Sequence, residues 1–156
     1  MSTNLSSKNC SIIIVVSVFN KRVVDNLLSG ALRAFSYYGG DDSKVLVFKV
    51  PGAFEIPGAI SQVQKYHNPD AIIGIGAVIK GETPHFDYIS TESARGIANL
   101  SIKSDIPIIN GIITTETAQH AYDRASKTGK NKGWEAMEAA LHTISVYKSM
   151  QISSQC

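Results

Sequence analysis

Apolar residues along the chain alternate between short β-branched runs and segments in which they recur every three or four positions. The first run, Ser11–Phe19, has the length of a strand and is too apolar to leave one face in water, so a buried strand is predicted there. Similar runs predict three more strands over Lys44–Val50, Ala71–Ile79 and Pro107–Ile113.

A segment with helical spacing follows each predicted strand. The first carries an apolar stripe from Val23 to Phe35 and stops at the glycine pair Gly39-Gly40. The other predicted helices cover Pro57–Tyr66, Phe86–Leu100, Thr117–Ser126 and Trp134–Met150. This alternation predicts an α/β fold: a single-domain three-layer α/β/α sandwich with a four-stranded parallel sheet.

Composition agrees with one globular domain. Hydrophobic residues make up 44% of the 156 residues and charged residues 18%. We predict a flexible N-terminal arm over residues 1–10 and the α/β domain over residues 11–156. The polar start of the chain resembles no signal peptide, and no apolar run reaches the ~20 residues of a membrane span.

Charge and cysteine content exclude several classes of function. Fifteen basic and thirteen acidic residues give a net charge of +2, so no strong field favours nucleic acid or an anionic membrane. The cysteines, Cys10 and Cys156, stand at opposite ends without metal-ligand spacing. We expect a soluble protein of a reducing compartment, the cytoplasm.

Ligands of open parallel sheets bind outside the carboxyl ends of the strands. This rule selects four loops, residues 19–21, 51–55, 80–85 and 114–116. The third, Gly81-Glu82-Thr83-Pro84, leads into a predicted helix, so its free N–H groups and hydroxyl suit a phosphate. An ordinary helix cap by Thr83, or a turn with Pro84 as first helical residue, explains the same sequence.

Other residues near these loops have both a chemical and a structural interpretation. His85 suits proton transfer near neutral pH, or it is a solvent-exposed or capping histidine. Arg124 and Lys132 suit an anion, or they belong to a solvated basic face with Lys127 and Lys130. No pair of histidines has metal-ligand spacing beside a carboxylate, so no metal site is predicted.

The aromatic rings and the carboxylate of the first two loops are open to two interpretations as well. Phe19 and Phe54 cap the core, or one of them stacks on a flat ligand. Glu55 lies between apolar neighbours, where a carboxylate usually has a partner, and a polyhydroxylated ligand would supply one.

Five motifs in order resemble the lumazine synthase family over nearly the whole chain, from about Ile12 to Met150. They are Asn20, the segment Val50-Pro51-Gly52-Ala53-Phe54-Glu55-Ile56-Pro57, the segment Gly76-Ala77-Val78-Ile79-Lys80-Gly81-Glu82-Thr83-Pro84-His85-Phe86, the segment Gly111-Ile112-Ile113-Thr114-Thr115-Glu116, and Asn131-Lys132-Gly133.

The resemblance implies a transferase of riboflavin biosynthesis. Such an enzyme condenses 5-amino-6-(D-ribitylamino)uracil with 3,4-dihydroxy-2-butanone 4-phosphate to 6,7-dimethyl-8-ribityllumazine, releasing phosphate and water. It uses no metal and no organic cofactor, and it passes its product to riboflavin synthase. The fold implied is flavodoxin-like with four parallel strands, and the implied assembly is a homopentamer with sites between neighbouring subunits.

Motif position also implies a role for each site residue. His85 would transfer protons as the catalytic residue. The pyrimidine and its ribityl chain would be bound by Phe19, Ala53, Phe54, Glu55, Ala77, Val78, Ile79, Asn110 and Lys132. The phosphate would be bound by Gly81, Glu82, Thr83 and Arg124.

Two positions depart from the family pattern. Asn110 stands where many members carry an aromatic ring, so contact with the pyrimidine is expected to be weaker or replaced by a hydrogen bond. Lys80 stands where arginine is frequent, which keeps the charge and loses the planar fork. The alternative function is a non-catalytic flavin or lumazine carrier, or a shell protein, on the same scaffold.

Overall fold

A computed structural model describes residues 4–155, which form four strands and five helices. In chain order the elements are β1 (Ile12–Ser17), α1 (Lys21–Tyr37), β2 (Val45–Val50), α2 (Ile56–Tyr66), β3 (Ala71–Ile79), α3 (His85–Ile102), β4 (Ile108–Thr115), α4 (Ala118–Arg124) and α5 (Lys132–Ser153). Short 3₁₀ turns over Asp42–Lys44 and Ala53–Glu55 precede β2 and α2.

The strands form one parallel sheet in the order β2-β1-β3-β4. Every residue of β1 is buried, which confirms the prediction that this strand is too apolar for an edge. β2 is an edge strand, and its apolar residues Leu46, Val47 and Phe48 are exposed.

Successive residues of β1 face opposite layers of the molecule. Ile12, Ile14 and Val16 belong to a core that also contains buried residues of α1, α4 and α5. Ile13 and Val15 belong to a second core with α2 and α3. The period of two along a strand therefore produces the three-layer sandwich that the sequence predicts.

Helix α1 packs closely against the start of α5. A Cβ atom on Gly133 would lie 1.8 Å from the Leu27 carbonyl oxygen, so only glycine fits at this contact. The buried Asn131 caps α5 by accepting from the Trp134 N–H (3.0 Å), and its amide donates to the Asn26 carbonyl of α1 (3.1 Å).

A second link between the same helices lies one turn further along α5. The Tyr38 hydroxyl donates to the Glu138 carboxylate, and this hydrogen bond raises the pKa of Tyr38 to about 12. The long last helix is therefore anchored on α1 at both contacts.

Element boundaries differ from the predicted ones by a few residues, for local reasons. β1 ends at Ser17, and the next two N–H groups, of Val18 and Phe19, bond to the Val50 and Pro51 carbonyls at the end of β2. α5 begins at Lys132 rather than at Trp134, because Asn131 provides the cap. α4 is shorter than predicted, because Thr117 caps it from outside.

The predicted arm over residues 1–10 is only partly described. Residues 1–3 and Cys156 lie outside the described residues. Ser7 is buried and its hydroxyl donates to the Phe35 carbonyl, and Cys10 is buried as well. Burial raises the pKa of the Cys10 thiol, as desolvation disfavours the thiolate. The division at residue 10 stays a prediction.

No helix within residues 4–155 combines the length and the apolar character needed to cross a bilayer.

Candidate active site

A crevice of about 660 Å³ opens at the carboxyl ends of the strands. The loops after β1, β2 and β3 line it, as the position rule for parallel sheets predicts. Of the residues predicted to bind or react, it brings together Phe19, Ala53, Phe54, Glu55, Ala77, Val78, Ile79, Gly81, Thr83 and His85. The fourth predicted loop, residues 114–116, is absent from this lining.

The loop after β1 carries the most exposed aromatic ring of the crevice. Phe19 is 71% exposed, so it caps no core and presents its ring to the opening. Its backbone N–H donates to the Pro51 carbonyl (3.1 Å), and the Val18 N–H donates to the Val50 carbonyl (2.9 Å). The loop is therefore fixed to the end of β2.

The loop after β2 turns through the 3₁₀ segment Ala53–Glu55. Ala53 is buried beneath the crevice, whereas Phe54 is 55% exposed on its rim. The Glu55 carboxylate accepts from the Gly52 N–H at 2.9 Å. The partner inferred for this carboxylate is thus supplied within the loop, and a second carboxylate oxygen is available to a ligand.

The loop after β3 leads directly into α3. Pro84 is the N-cap, and no side chain caps this helix end, so the alternative of a Thr83 cap is wrong. The first N–H groups of an α-helix have no acceptor within the helix, and the helix dipole adds partial positive charge there. Gly81 has open space around its Cα. An anion therefore fits at this end of the crevice.

His85 is the first residue of α3 and lies at the same end of the crevice. Its side chain is exposed, which leaves both ring nitrogens accessible to a ligand. An imidazole beside an anion site can give or take a proton during a reaction there.

Four predicted site residues are absent from the lining of this crevice. Glu82 is exposed within the β3–α3 loop. Asn110 lies on the exposed side of edge strand β4, where its side-chain oxygen accepts from the Ile112 N–H (3.0 Å). Arg124 ends α4 and donates to the His120 carbonyl (3.4 Å), and Lys132 pairs with Glu135 (3.1 Å).

Five further residues line the crevice without having been predicted as site residues: Asn20, Pro51, Gly52, Phe86 and Ile89. Phe86 and Ile89 have helical spacing, which sequence reasoning interprets as core packing. Asn20 is part of a predicted loop, and its sequence signal was that it is one of the five motifs shared with the family.

Metal ligands do not converge in the described part of the chain. Within residues 4–155 no three His, Cys, Asp or Glu side chains could hold a metal ion together.

These features define an α/β protein of the class that binds a small organic ligand at the carboxyl ends of a parallel sheet, with an anion-binding helix end and an imidazole at one side. The sequence model of the 6,7-dimethyl-8-ribityllumazine synthase family matches residues 9–148. The chain therefore belongs to this family. The family inferred from the five motifs is confirmed, and so is the inference of a transferase of riboflavin biosynthesis.

Individual members of the family align with this chain over almost their full length. The chain is 42% identical to the 6,7-dimethyl-8-ribityllumazine synthase of Nautilia profundicola over 94% of this chain and 96% of the relative. It is 40% identical to that of Chloroherpeton thalassium, over 94% and 95%. For the synthase of Campylobacter hominis the identity is 41%, over 90% of each chain.

Proposed function

We propose that this protein condenses 5-amino-6-(D-ribitylamino)uracil with 3,4-dihydroxy-2-butanone 4-phosphate in the crevice at the carboxyl ends of β1, β2 and β3. The observation that carries the proposal is the convergence of ten predicted site residues, from the end of β3 and the segments that follow β1, β2 and β3, on one crevice. Family membership supports the reaction, and the crevice supports its location.

One half of the crevice suits the pyrimidine and its ribityl chain. The exposed Phe19 ring offers a face for stacking on a flat heterocycle. The backbone of Ala77, Val78 and Ile79 would contact the polar edge of the pyrimidine. Ala53, Phe54 and Glu55 would bind the ribityl hydroxyls, with the carboxylate oxygen of Glu55 as acceptor.

The other half suits the phosphate. Gly81, Thr83 and the start of α3 offer N–H groups and a hydroxyl to its oxygens. Glu82 would contribute through its backbone N–H, since its carboxylate would repel a dianion. The phosphate would therefore lie beside His85.

His85 is the proposed proton-transfer residue. Imine formation at the ketone, elimination of phosphate and ring closure each move a proton. Phosphate is a fair leaving group, and holding two substrates together supplies much of the acceleration. The imidazole therefore assists a reaction that is already accelerated by the binding of both substrates in one crevice.

A second copy of the chain would complete the crevice. Asn110, Arg124 and Lys132 are predicted site residues outside the crevice lining of their own chain. Phe19, Phe54 and the apolar edge of β2 are exposed and would be covered by a neighbour. We propose a homopentamer in which each crevice receives these three residues from the adjacent subunit, with Arg124 on the phosphate.

The remaining parts of the proposal concern the cell. The enzyme would act in the cytoplasm, use no cofactor and pass its lumazine product to riboflavin synthase. A non-catalytic carrier or shell protein is not supported, because the relatives are named as synthases.

A direct assay tests the reaction. Purified protein is mixed with both substrates, and the absorbance and fluorescence of the lumazine are followed, with each substrate omitted in turn as the control. We expect product only when both substrates are present. Tight flavin binding without product formation would contradict the proposal.

A further inference from the structure

Asn20 has an unusual backbone conformation at the edge of the crevice. Its φ of 58° and ψ of 48° lie in the left-handed region, and it is the N-cap of α1. Among residues 4–155 only Asn9 shares a positive φ without being glycine. Asparagine tolerates this region better than most residues, but glycine adopts it with less strain. A side-chain function would explain why glycine is not used here.

That function is a hydrogen bond to the neighbouring strand end. The Asn20 side-chain amide donates to the Ala77 carbonyl oxygen at 2.9 Å. The register between β1 and β3 ends at the pair Val16 and Ile75, so β1 supplies no backbone N–H to Ala77. The side chain of Asn20 takes the place of the next hydrogen bond of the ladder.

Residues 18–20 are consequently held from both sides. Backbone N–H groups of Val18 and Phe19 bond to carbonyls at the end of β2, and Asn20 bonds to the end of β3. Phe19 lies between these attachments with its ring exposed. The distance between this ring and the backbone of β3 is therefore set by the Asn20 bond.

We infer that Asn20 is a positioning residue for the pyrimidine substrate, which rests on the function proposed above. It holds the stacking ring of Phe19 at a fixed spacing from the Ala77–Ile79 backbone, so that one flat ligand meets both. The phosphate end of the crevice is formed by the loop after β3 and the start of α3, beside His85, which the Asn20 bond does not contact.

Two variants distinguish the effect of the hydrogen bond from the effect of the left-handed backbone conformation. Asn20→Gly keeps the left-handed conformation and loses the donor. Asn20→Asp keeps the side-chain volume and places a carboxylate against the Ala77 carbonyl, where a donor is needed. Asn9→Gly is the matched control, because it alters the other left-handed asparagine, which lies before the opposite end of β1.

The experiment measures KM separately for the two substrates, together with the dissociation constant of the fluorescent product 6,7-dimethyl-8-ribityllumazine. We expect both Asn20 variants to raise the KM for the pyrimidine and the dissociation constant about tenfold, which corresponds to one neutral hydrogen bond. The KM for the phosphate substrate should stay near wild type, as should every value for Asn9→Gly.

Unchanged pyrimidine affinity in both variants would overturn the inference. Equal rises in both KM values together with a lower melting temperature would overturn it as well, since they would show a merely structural role. Absence of product from the wild-type protein would instead count against the proposed function, so the two failures are distinguishable.

Discussion

Single residues at the ends of the strands decide what the crevice can bind. Phe19 follows β1 and His85 begins α3, where side chains and N–H groups leave the regular ladder. Ser17 ends β1 below them, and its hydroxyl has no hydrogen-bond partner within residues 4–155. Groups at these positions can contact a ligand, but leaving them outside the ladder lowers the stability of the fold.

The buried hydroxyl of Ser17 predicts a stabilising substitution. Ser17→Ala removes a desolvated, unpaired polar group, so the free energy of unfolding should rise by about 1 kcal/mol. Ser93→Ala is the matched control: Ser93 is equally buried, but its hydroxyl donates to the Ile89 carbonyl at 2.6 Å, so no gain is expected. Urea denaturation at one protein concentration measures both. A clear loss of stability in Ser17→Ala would show that the hydroxyl has a partner, such as a buried water.

His85 and Arg124, which are proposed for proton transfer and for phosphate binding, predict different kinetic effects. His85→Ala should lower kcat by only about tenfold, because approximation of the substrates supplies much of the rate. Arg124→Ala should raise the KM for the phosphate substrate about a hundredfold, because a charged hydrogen-bonding partner is lost. Lys127→Ala is the control, as the neighbouring basic residue assigned to the solvated face. Steady-state kinetics with an unchanged KM in Arg124→Ala would remove its phosphate role.

Helices carry the site residues into place through their contacts with one another. α1 starts at the crevice with Asn20 and contacts Asn131 and Gly133 at its middle, where α5 begins with Lys132. The motif Asn131-Lys132-Gly133 therefore combines two packing residues with one exposed cation. Packing at this contact fixes where the cation is presented.

The contact between α1 and α5 predicts a strong effect of one added methyl group. Gly133→Ala would force the start of α5 away from the Leu27 carbonyl and should destabilise the protein by about 3 kcal/mol or more. Gly58→Ala, in α2 with no atom near the added Cβ, is the control and should be neutral or slightly stabilising. Denaturation midpoints of the two variants give the comparison. Equal stability of Gly133→Ala and wild type would mean that this contact is looser than described.

At the scale of the whole molecule, the crevice and three predicted site residues occupy different surfaces. Asn110 and Lys132 lie on β4 and α5, and Arg124 lies on α4, whereas the crevice is built from β1, β2 and β3 with their loops. A closed ring of identical subunits brings such surfaces together repeatedly, since each subunit offers one surface to each neighbour.

Mixing two impaired variants, assayed at a phosphate-substrate concentration below the KM of Arg124→Ala, tests this arrangement. In a ring assembled from equal amounts of His85→Ala and Arg124→Ala chains, about a quarter of the crevices would combine an intact His85 with an intact Arg124 from the neighbour. We therefore expect about a quarter of wild-type activity after joint refolding. The same variants refolded separately and then mixed are the control. Activity equal to the average of the two variants after joint refolding would place both residues in one chain's site.

Much of the fold was predictable because local periodicity and burial agree. Ser11–Phe19 and Ala71–Ile79 are apolar on both faces, and both strands are central in the sheet. The end of β1 and the start of α5 were not predictable, since they depend on hydrogen bonds to distant residues such as Pro51 and Asn26. Likewise, ten of the site residues could be predicted from the carboxyl-end rule and the family resemblance, whereas the hydrogen bond of Asn20 to Ala77 could not.

The sequence by itself determined the alternating strands and helices, the family and the loops in which the chemistry lies, because apolar spacing and motif residues are local properties of the chain. Tertiary structure alone decided that Asn20 replaces a missing ladder bond, and that Arg124 and Lys132 lie away from their own crevice. Each of these depends on which groups meet across the sheet. These groups are brought together by packing between segments that lie far apart in the chain.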